Sequence, residues 1–343
     1  SLGMTREEIE AYGLQFQEEL YTKPFIADWT LEKIFGDQAQ YVKDTFLNKT
    51  HDDIWEMKPA YDTQRKVLQW WKAEAEKPEN AGGATALANL RDGLYALISD
   101  VLFVRDRKNK DKFHPRIGVQ NDFIYQALWD NDKFVFNRLY NDYFYRRNNQ
   151  FWYTEAMKKL PKLTQATRML VCAEDLGMVP DCVPWVMNEL RILSLEIQSM
   201  PKQSGFEFAH LDGNPYRSVA TFSTHDMPPL RLWWEESPER TQRYYVSMLQ
   251  KQGRAPEHLP AHLAEEIIAR HLYCPSMLCL LSLQDWLAMD GELRSKSPRE
   301  ERINVPSDPY NHWKYRMHLT IEELLKADKY NNKVHTMITR SKR

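Results

Sequence analysis

Glycine supplies only 12 of the 343 residues, about half the usual share of roughly 7%. That shortage disfavours glycine-rich phosphate loops and turn-dense β-sandwiches, and neither a G-x-G-x-x-G nor a P-loop occurs. Cysteine is scarcer: Cys172, Cys182, Cys274 and Cys279 fit no C-x-x-C or zinc spacing, so reduced core thiols are expected. The longest apolar run, about Met277 to Leu283, is far too short to span a bilayer. Charge of one sign is missing as well, because 46 Lys and Arg stand against 48 Asp and Glu, a net charge of −2. A nucleic-acid or anionic-membrane partner held by bulk charge is thereby disfavoured.

Core material is plentiful. The chain is 43% hydrophobic and 27% charged, with 14 Phe, 11 Trp and 17 Tyr, which is the composition of a packed, helix-rich protein of one large or two smaller domains. The residues after Ser1, Leu2-Gly3-Met4-Thr5-Arg6-Glu7-Glu8, turn polar without the 7–15-residue apolar segment of a secretory signal. A cytoplasmic protein is expected, and the opening Ser in place of Met points to a processed or truncated chain.

Residues 1–165 read as a helical subdomain. Leu87, Leu90, Leu94, Leu97, Ile98 and Val101 form one apolar stripe at spacings of three and four. A second stripe, Leu139, Tyr140, Tyr143, Phe144, Arg147 and Phe151, has the same spacing with aromatics, and no run in this half reads as a buried strand. The polar loop Asn109 to Arg116 ends in His114 and Arg116, side chains able to hydrogen-bond a ligand.

From residue 166 the pattern changes. Met169-Leu170-Val171-Cys172-Ala173 is an all-apolar run that stops at Glu174-Asp175-Leu176-Gly177, the pattern of a strand buried on both faces. A short helix from Val179-Pro180-Asp181 through Leu190 and a second run, Ile192 to Gln198, complete a βαβ unit. Val219 to Phe222 then ends in Ser223-Thr224-His225-Asp226, and Met277 to Leu283 ends in Gln284-Asp285. Four apolar strands with polar endings favour half of a β/α barrel, because barrel active sites sit at the carboxyl ends of parallel strands. Eight strands close such a barrel, so four are missing.

Glu174, flanked by Ala173 and Leu176, has the setting in which desolvation raises a carboxyl pKa, as a general acid requires. Asp226 at another strand end is placed to stabilise developing positive charge or to grip sugar hydroxyls. Both carboxylates also suit a purely structural part as helix caps or Arg partners. Tyr216, Trp233 and Trp234 lie near the His225-Asp226 turn, where they serve either as flat sugar-binding faces or as core. His258 and His262 are four apart, but Pro260 interrupts the helix between them, and no metal site is expected.

The combination Cys172-Ala173-Glu174-Asp175-Leu176-Gly177, Thr224-His225-Asp226, Leu283-Gln284-Asp285 and Asn311-His312-Trp313-Lys314-Tyr315-Arg316 resembles the 4-α-glucanotransferases, or amylomaltases, of glycoside hydrolase family 77. The helical stretch before Glu174 is similar to the insertion of the large disproportionating-enzyme-2 branch, with Phe113-His114-Pro115-Arg116 and Leu139-Tyr140-Asn141-Asp142-Tyr143 among the matching segments. The resemblance implies an α/β fold: the carboxyl-terminal half of a β/α (TIM-type) barrel, residues 166–343, preceded by a helical insertion subdomain, residues 1–165. It implies Glu174 as general acid/base, Asp226 as transition-state stabiliser and His225 as a donor-subsite ligand. Gln284, Asp285 and Asn311 become binding or supporting positions; the residues themselves add Trp233, His114 and Arg116 as candidate substrate contacts. Maltooligosaccharides and α-1,4-glucans become the substrates, with no metal or cofactor.

The family's nucleophile is an Asp in an Arg-x-Asp-His-type motif, and no such motif occurs in the 343 residues. The expectation is therefore a carboxyl-terminal half whose partner is the amino-terminal half of the same enzyme. It should be inactive alone, and its uncovered apolar edges point to self-association. An α-glucan hydrolase shares these carboxylates, and a noncatalytic glucan-binding fragment shares the aromatics; both remain open from sequence.

Overall fold

The structure, a computed structural model, describes residues 2–77, 83–203 and 205–343. Two compact units divide the chain, Ser1–Asn148 and Asn149–Arg343. The division falls ahead of the expected boundary at residue 165. The cause is local: helices Asn149–Met157 and Leu160–Gln165 pack on helix Cys182–Leu190. The side chain of Asn149 accepts the Cys182 backbone N–H at 3.1 Å.

In the first unit, helices Asp28–Phe35, Ala39–Phe46, Gln64–Ala75 and Ala84–Ser99 enclose a core that includes Leu31, Val42, Phe46, Val67, Leu90, Leu94 and Leu97. Leu90, Leu94 and Leu97 are the buried side of the apolar stripe, as its helical period requires. Among the described residues short strands also occur here, although no run in this half reads as a buried strand from sequence. β1 (Ile26–Ala27), β2 (Leu47–Lys49) and β3 (Ile54–Met57) form an antiparallel sheet in the order β1-β3-β2, and β4 (Phe103–Arg105) pairs with β5 (Phe113–Pro115). Strands of two to four residues are too short for an alternation signal to stand out.

The second unit is built on parallel strands β6 (Ser194–Ile197), β7 (Ser218–Thr221) and β8 (Leu278–Cys279), side by side in that order. Residues 171–173 extend the ladder beyond β6: Leu193 N–H donates to Val171 at 3.0 Å, and Ala173 N–H donates to Leu193 at 2.8 Å. Helices Leu230–Glu236, Pro238–Ser247 and Ala261–Leu272 connect β7 to β8. Their core includes Phe222, Trp233, Trp234, Tyr244, Ile267, Ile268 and Leu287. Pro260 stands at the N-cap of Ala261–Leu272, so His258 lies outside the helix that carries His262. Among the described residues no helix is long and apolar enough to cross a membrane.

Two expectations about strands need correction. Met169 and Leu170 are 75% and 53% exposed, so the run before Glu174 is not buried on both faces; among the described residues its ladder bonds run only to Leu193, on the β6 side. Cys172, in the same run, is exposed and not a core thiol. The run from Met277 forms a ladder only at β8, because Ser282 caps a new helix, Leu283–Leu287, by accepting the Asp285 N–H at 3.1 Å. Gln284 and Asp285 therefore sit in a first helical turn.

Candidate functional site

The parallel ladder sends the turns after Ala173 and after β7 out of the same, carboxyl end of the sheet. Since β6 lies between them, the strands bearing Glu174 and Asp226 are two strand spacings apart, about 10 Å. Glu174 is exposed at a largely apolar cleft of about 460 Å³, lined also by Trp152, Leu160, Val171, Leu176 and Met178. The desolvated setting expected of it is absent, because the neighbouring apolar side chains leave the carboxylate open to water. What fixes its turn is Asp175, which accepts the Leu195 N–H at 2.8 Å and meets Lys202 Nζ at 2.7 Å. Lys202 also reaches Glu196 at 2.8 Å, and Gly177 turns the chain back with φ +75°.

All three side chains of this cluster are largely buried, so removing the cation leaves two carboxylates facing each other. Lys202→Met is expected to destabilise the second unit by about 2–4 kcal/mol. Urea unfolding measures this, and Lys202→Met combined with Glu196→Gln should recover part of the loss. Equal loss in the single and double variants would show that the cation does not act through these carboxylates.

At the end of β7, Thr224 turns the chain: its carbonyl accepts the Met227 N–H at 3.1 Å and its hydroxyl accepts the Asp226 N–H at 3.3 Å. Asp226 Oδ2 lies 3.3 Å from His225 Nε2, and Asp226 Oδ1 accepts from Asn304 Nδ2 at 2.5 Å. Asn311 Nδ2 donates in turn to Asn304 Oδ1 at 2.8 Å. The Trp313 ring centroid is 5.0 Å from that of His225. Beside them runs a cleft of about 280 Å³ whose lining includes Thr224, His225, Leu281, Gln284 and Ile303.

Asp285 lies beneath this turn, fully buried, and accepts the Leu230 N–H at 2.8 Å and the Ser223 hydroxyl at 3.3 Å. Burial pushes its carboxyl pKa up, while those hydrogen bonds oppose the shift. It pins the β7 turn and is shut off from solvent, so it supports the site without lining it. Gln284 donates to the Glu301 carbonyl at 3.3 Å, and the Glu301 carboxylate pairs at 2.6 Å with buried Arg231.

Several expected residues stand elsewhere. Trp233 is 3% exposed and packs on Phe222 and Tyr244; helix Leu230–Glu236 is buried nearly all round, so neither Trp233 nor Trp234 offers a face to a ligand. Tyr216 precedes β7 and thus lies at the opposite, amino end of the sheet. In the first unit, His114 is held between Tyr143 Oη at 2.5 Å and Asp106 Oδ2 at 2.9 Å, and the His114 hydrogen bond helps hold the Asp106 pKa down at about 2. Arg116 is paired with Asp122. Both side chains are taken up by internal partners. Sequence reasoning did not single out Asn304, Lys202 or Arg231, since no strand ending or helical period marks them.

The sequence profile of glycoside hydrolase family 77, 4-alpha-glucanotransferase, matches residues 36–320. The chain belongs to the 4-alpha-glucanotransferase family. It is 32% identical to the 4-alpha-glucanotransferase DPE2 of rice, Oryza sativa subsp. japonica, over all 343 residues, covering 100% of this chain and 36% of the rice protein. A 4-alpha-glucanotransferase of Chlamydia caviae is 28% identical over 311 residues, 88% of this chain and 51% of that protein. The chain thus spans about a third to a half of the length of these 4-alpha-glucanotransferases. An amylomaltase from Streptococcus agalactiae, solved in complex with acarbose, aligns over 53% of this chain and 35% of its own at 17% identity and a TM-score of 0.41.

Proposed function

We propose that this chain is the carboxyl-terminal half of a retaining 4-α-glucanotransferase barrel, 166–343, with 1–165 as its helical insertion. It acts in the cytoplasm on maltooligosaccharides and α-1,4-glucans together with the amino-terminal half of the same enzyme, and needs no cofactor. The observation that carries this reading is Asp226, held between His225 and Asn304 at the carboxyl end of the sheet from which Glu174 also emerges. Glu174 donates a proton to the glycosidic oxygen as its bond to the anomeric carbon breaks. Asp226 stabilises the positive charge that develops on the sugar.

In a retaining reaction a carboxylate attacks the anomeric carbon, and Glu174 then takes the proton of the incoming acceptor hydroxyl. Asp226 is taken up by this charge-stabilising role, and the Arg-x-Asp-His-type motif of the family's nucleophile does not occur in the 343 residues. The attacking carboxylate is assigned to the amino-terminal half. The test is incubation with maltotriose: this chain alone yields no products, and addition of the upstream half in trans yields glucose and longer glucans. Transfer by the isolated chain, abolished by Glu174→Gln, would place the nucleophile within these 343 residues and overturn the assignment. Glucose without longer products would favour a hydrolase.

A further inference from the structure

We propose that Trp313 is an aromatic platform at the glucan site, its indole taking the apolar face of a glucose ring beside His225; the inference rests on the glucan reading above. A pyranose ring presents C–H groups on its faces and hydroxyls around its rim. Its recognition calls for a flat apolar surface bordered by hydrogen-bonding groups. The turn after β7 supplies the border in Thr224 and His225. Trp233 and Trp234 cannot supply the surface, because both are buried in the core.

Trp313 meets the requirement. It is 59% exposed, and its ring lies 5.0 Å from the His225 imidazole at 47°. One part of the indole is thus set by the imidazole while the rest is open to a ligand. Its backbone is tied to the same site two residues upstream, where Asn311 donates to Asn304 and Asn304 to Asp226. The segment that carries the platform is thus tied through Asn311 and Asn304 to the carboxylate, which sets a sugar stacked on Trp313 in register with Asp226.

Calorimetric titration of maltoheptaose into the full 343-residue chain tests this without any need for turnover. Trp313→Ala is expected to weaken binding by about tenfold or more, whereas Trp313→Phe, which keeps a ring, should stay within about threefold of the parent. Trp185, also half exposed at 52% but on helix Cys182–Leu190, is the control, and Trp185→Ala should leave binding unchanged. Circular dichroism and a thermal melt report whether each variant is folded. Binding by folded Trp313→Ala equal to that of the parent overturns the platform and leaves the glucan reading standing. Failure of the parent chain to bind maltoheptaose overturns both.

Discussion

Glu174→Gln is expected to lower transfer from maltotriose by about 10²- to 10⁴-fold in the enzyme reconstituted from this chain and its upstream half. The amide has the shape of the carboxylic acid but neither protonates the leaving oxygen nor deprotonates the acceptor. Because Glu174 is exposed and makes no hydrogen bond to another of the described residues, the melting temperature should not move. Asp226→Asn removes a charge and should lower transfer by about 10²- to 10³-fold. It also sets an amide against the Asn304 Nδ2 donor that now meets Asp226 Oδ1 at 2.5 Å. A donor with fluoride as leaving group separates the two roles, since fluoride departs without a proton. Glycosylation by α-maltosyl fluoride should survive in Glu174→Gln and remain suppressed in Asp226→Asn. Equal suppression in both would remove the acid assignment from Glu174, and unchanged transfer in either variant would remove that residue from the mechanism.

Arg231→Met should be the most destabilising of the single substitutions considered, by about 3–5 kcal/mol. Arg231 and Glu301 are 7% and 2% exposed, and the guanidinium also donates to the Ser295 carbonyl at 2.8 Å. Without it the Glu301 carboxylate is a buried charge that has lost its paired guanidinium and keeps only the weaker fields of His318 and Arg294. Burial already raises the Glu301 pKa, with Arg231 opposing the shift, and removing the arginine raises it further. A carboxyl whose folded-state pKa lies above its unfolded value binds its proton more tightly when folded, so the stability of Arg231→Met should recover as pH falls through that folded value towards the unfolded one. Urea unfolding at pH 8 and pH 5 measures the difference. The pair Arg231→Met with Glu301→Leu should regain most of the loss, because an apolar pair of similar volume avoids the desolvation of two charges. A loss that is the same at both pH values, and unrelieved in the double variant, would mean that the arginine acts through packing alone.

The parts legible in the sequence were those with strong local signals. The run Val219–Phe222 lies within a residue of β7, and the buried side of Leu90, Leu94 and Leu97 follows from spacing, because both depend on short-range periodicity. The His225-Asp226 turn was legible for the same reason, as a polar break after an apolar strand. Burial of Met169 and Leu170 depends instead on what stands beside them, which composition does not encode. Trp233 was ambiguous because hydrophobicity alone does not separate a helix covered on every side from one that lines a cleft. Asn304 lies 78 residues beyond Asp226, in a loop with no repeat or strand ending to flag it.

Those long separations bear on how the protein is made. Asp226 waits for Asn304, 78 residues later, and its turn is pinned by Asp285, which holds the Leu230 N–H across 55 residues. Loop closure over such distances is entropically slow. During synthesis, β6 and β7 can pair soon after they emerge, while the carboxylate at the end of β7 lacks its Asn304 partner until translation has passed that residue. The chain thus acquires its sheet early and its chemistry late, and a ribosome-bound intermediate stalled before Asn304 would carry the strands of the site with Asp226 still free to rotate.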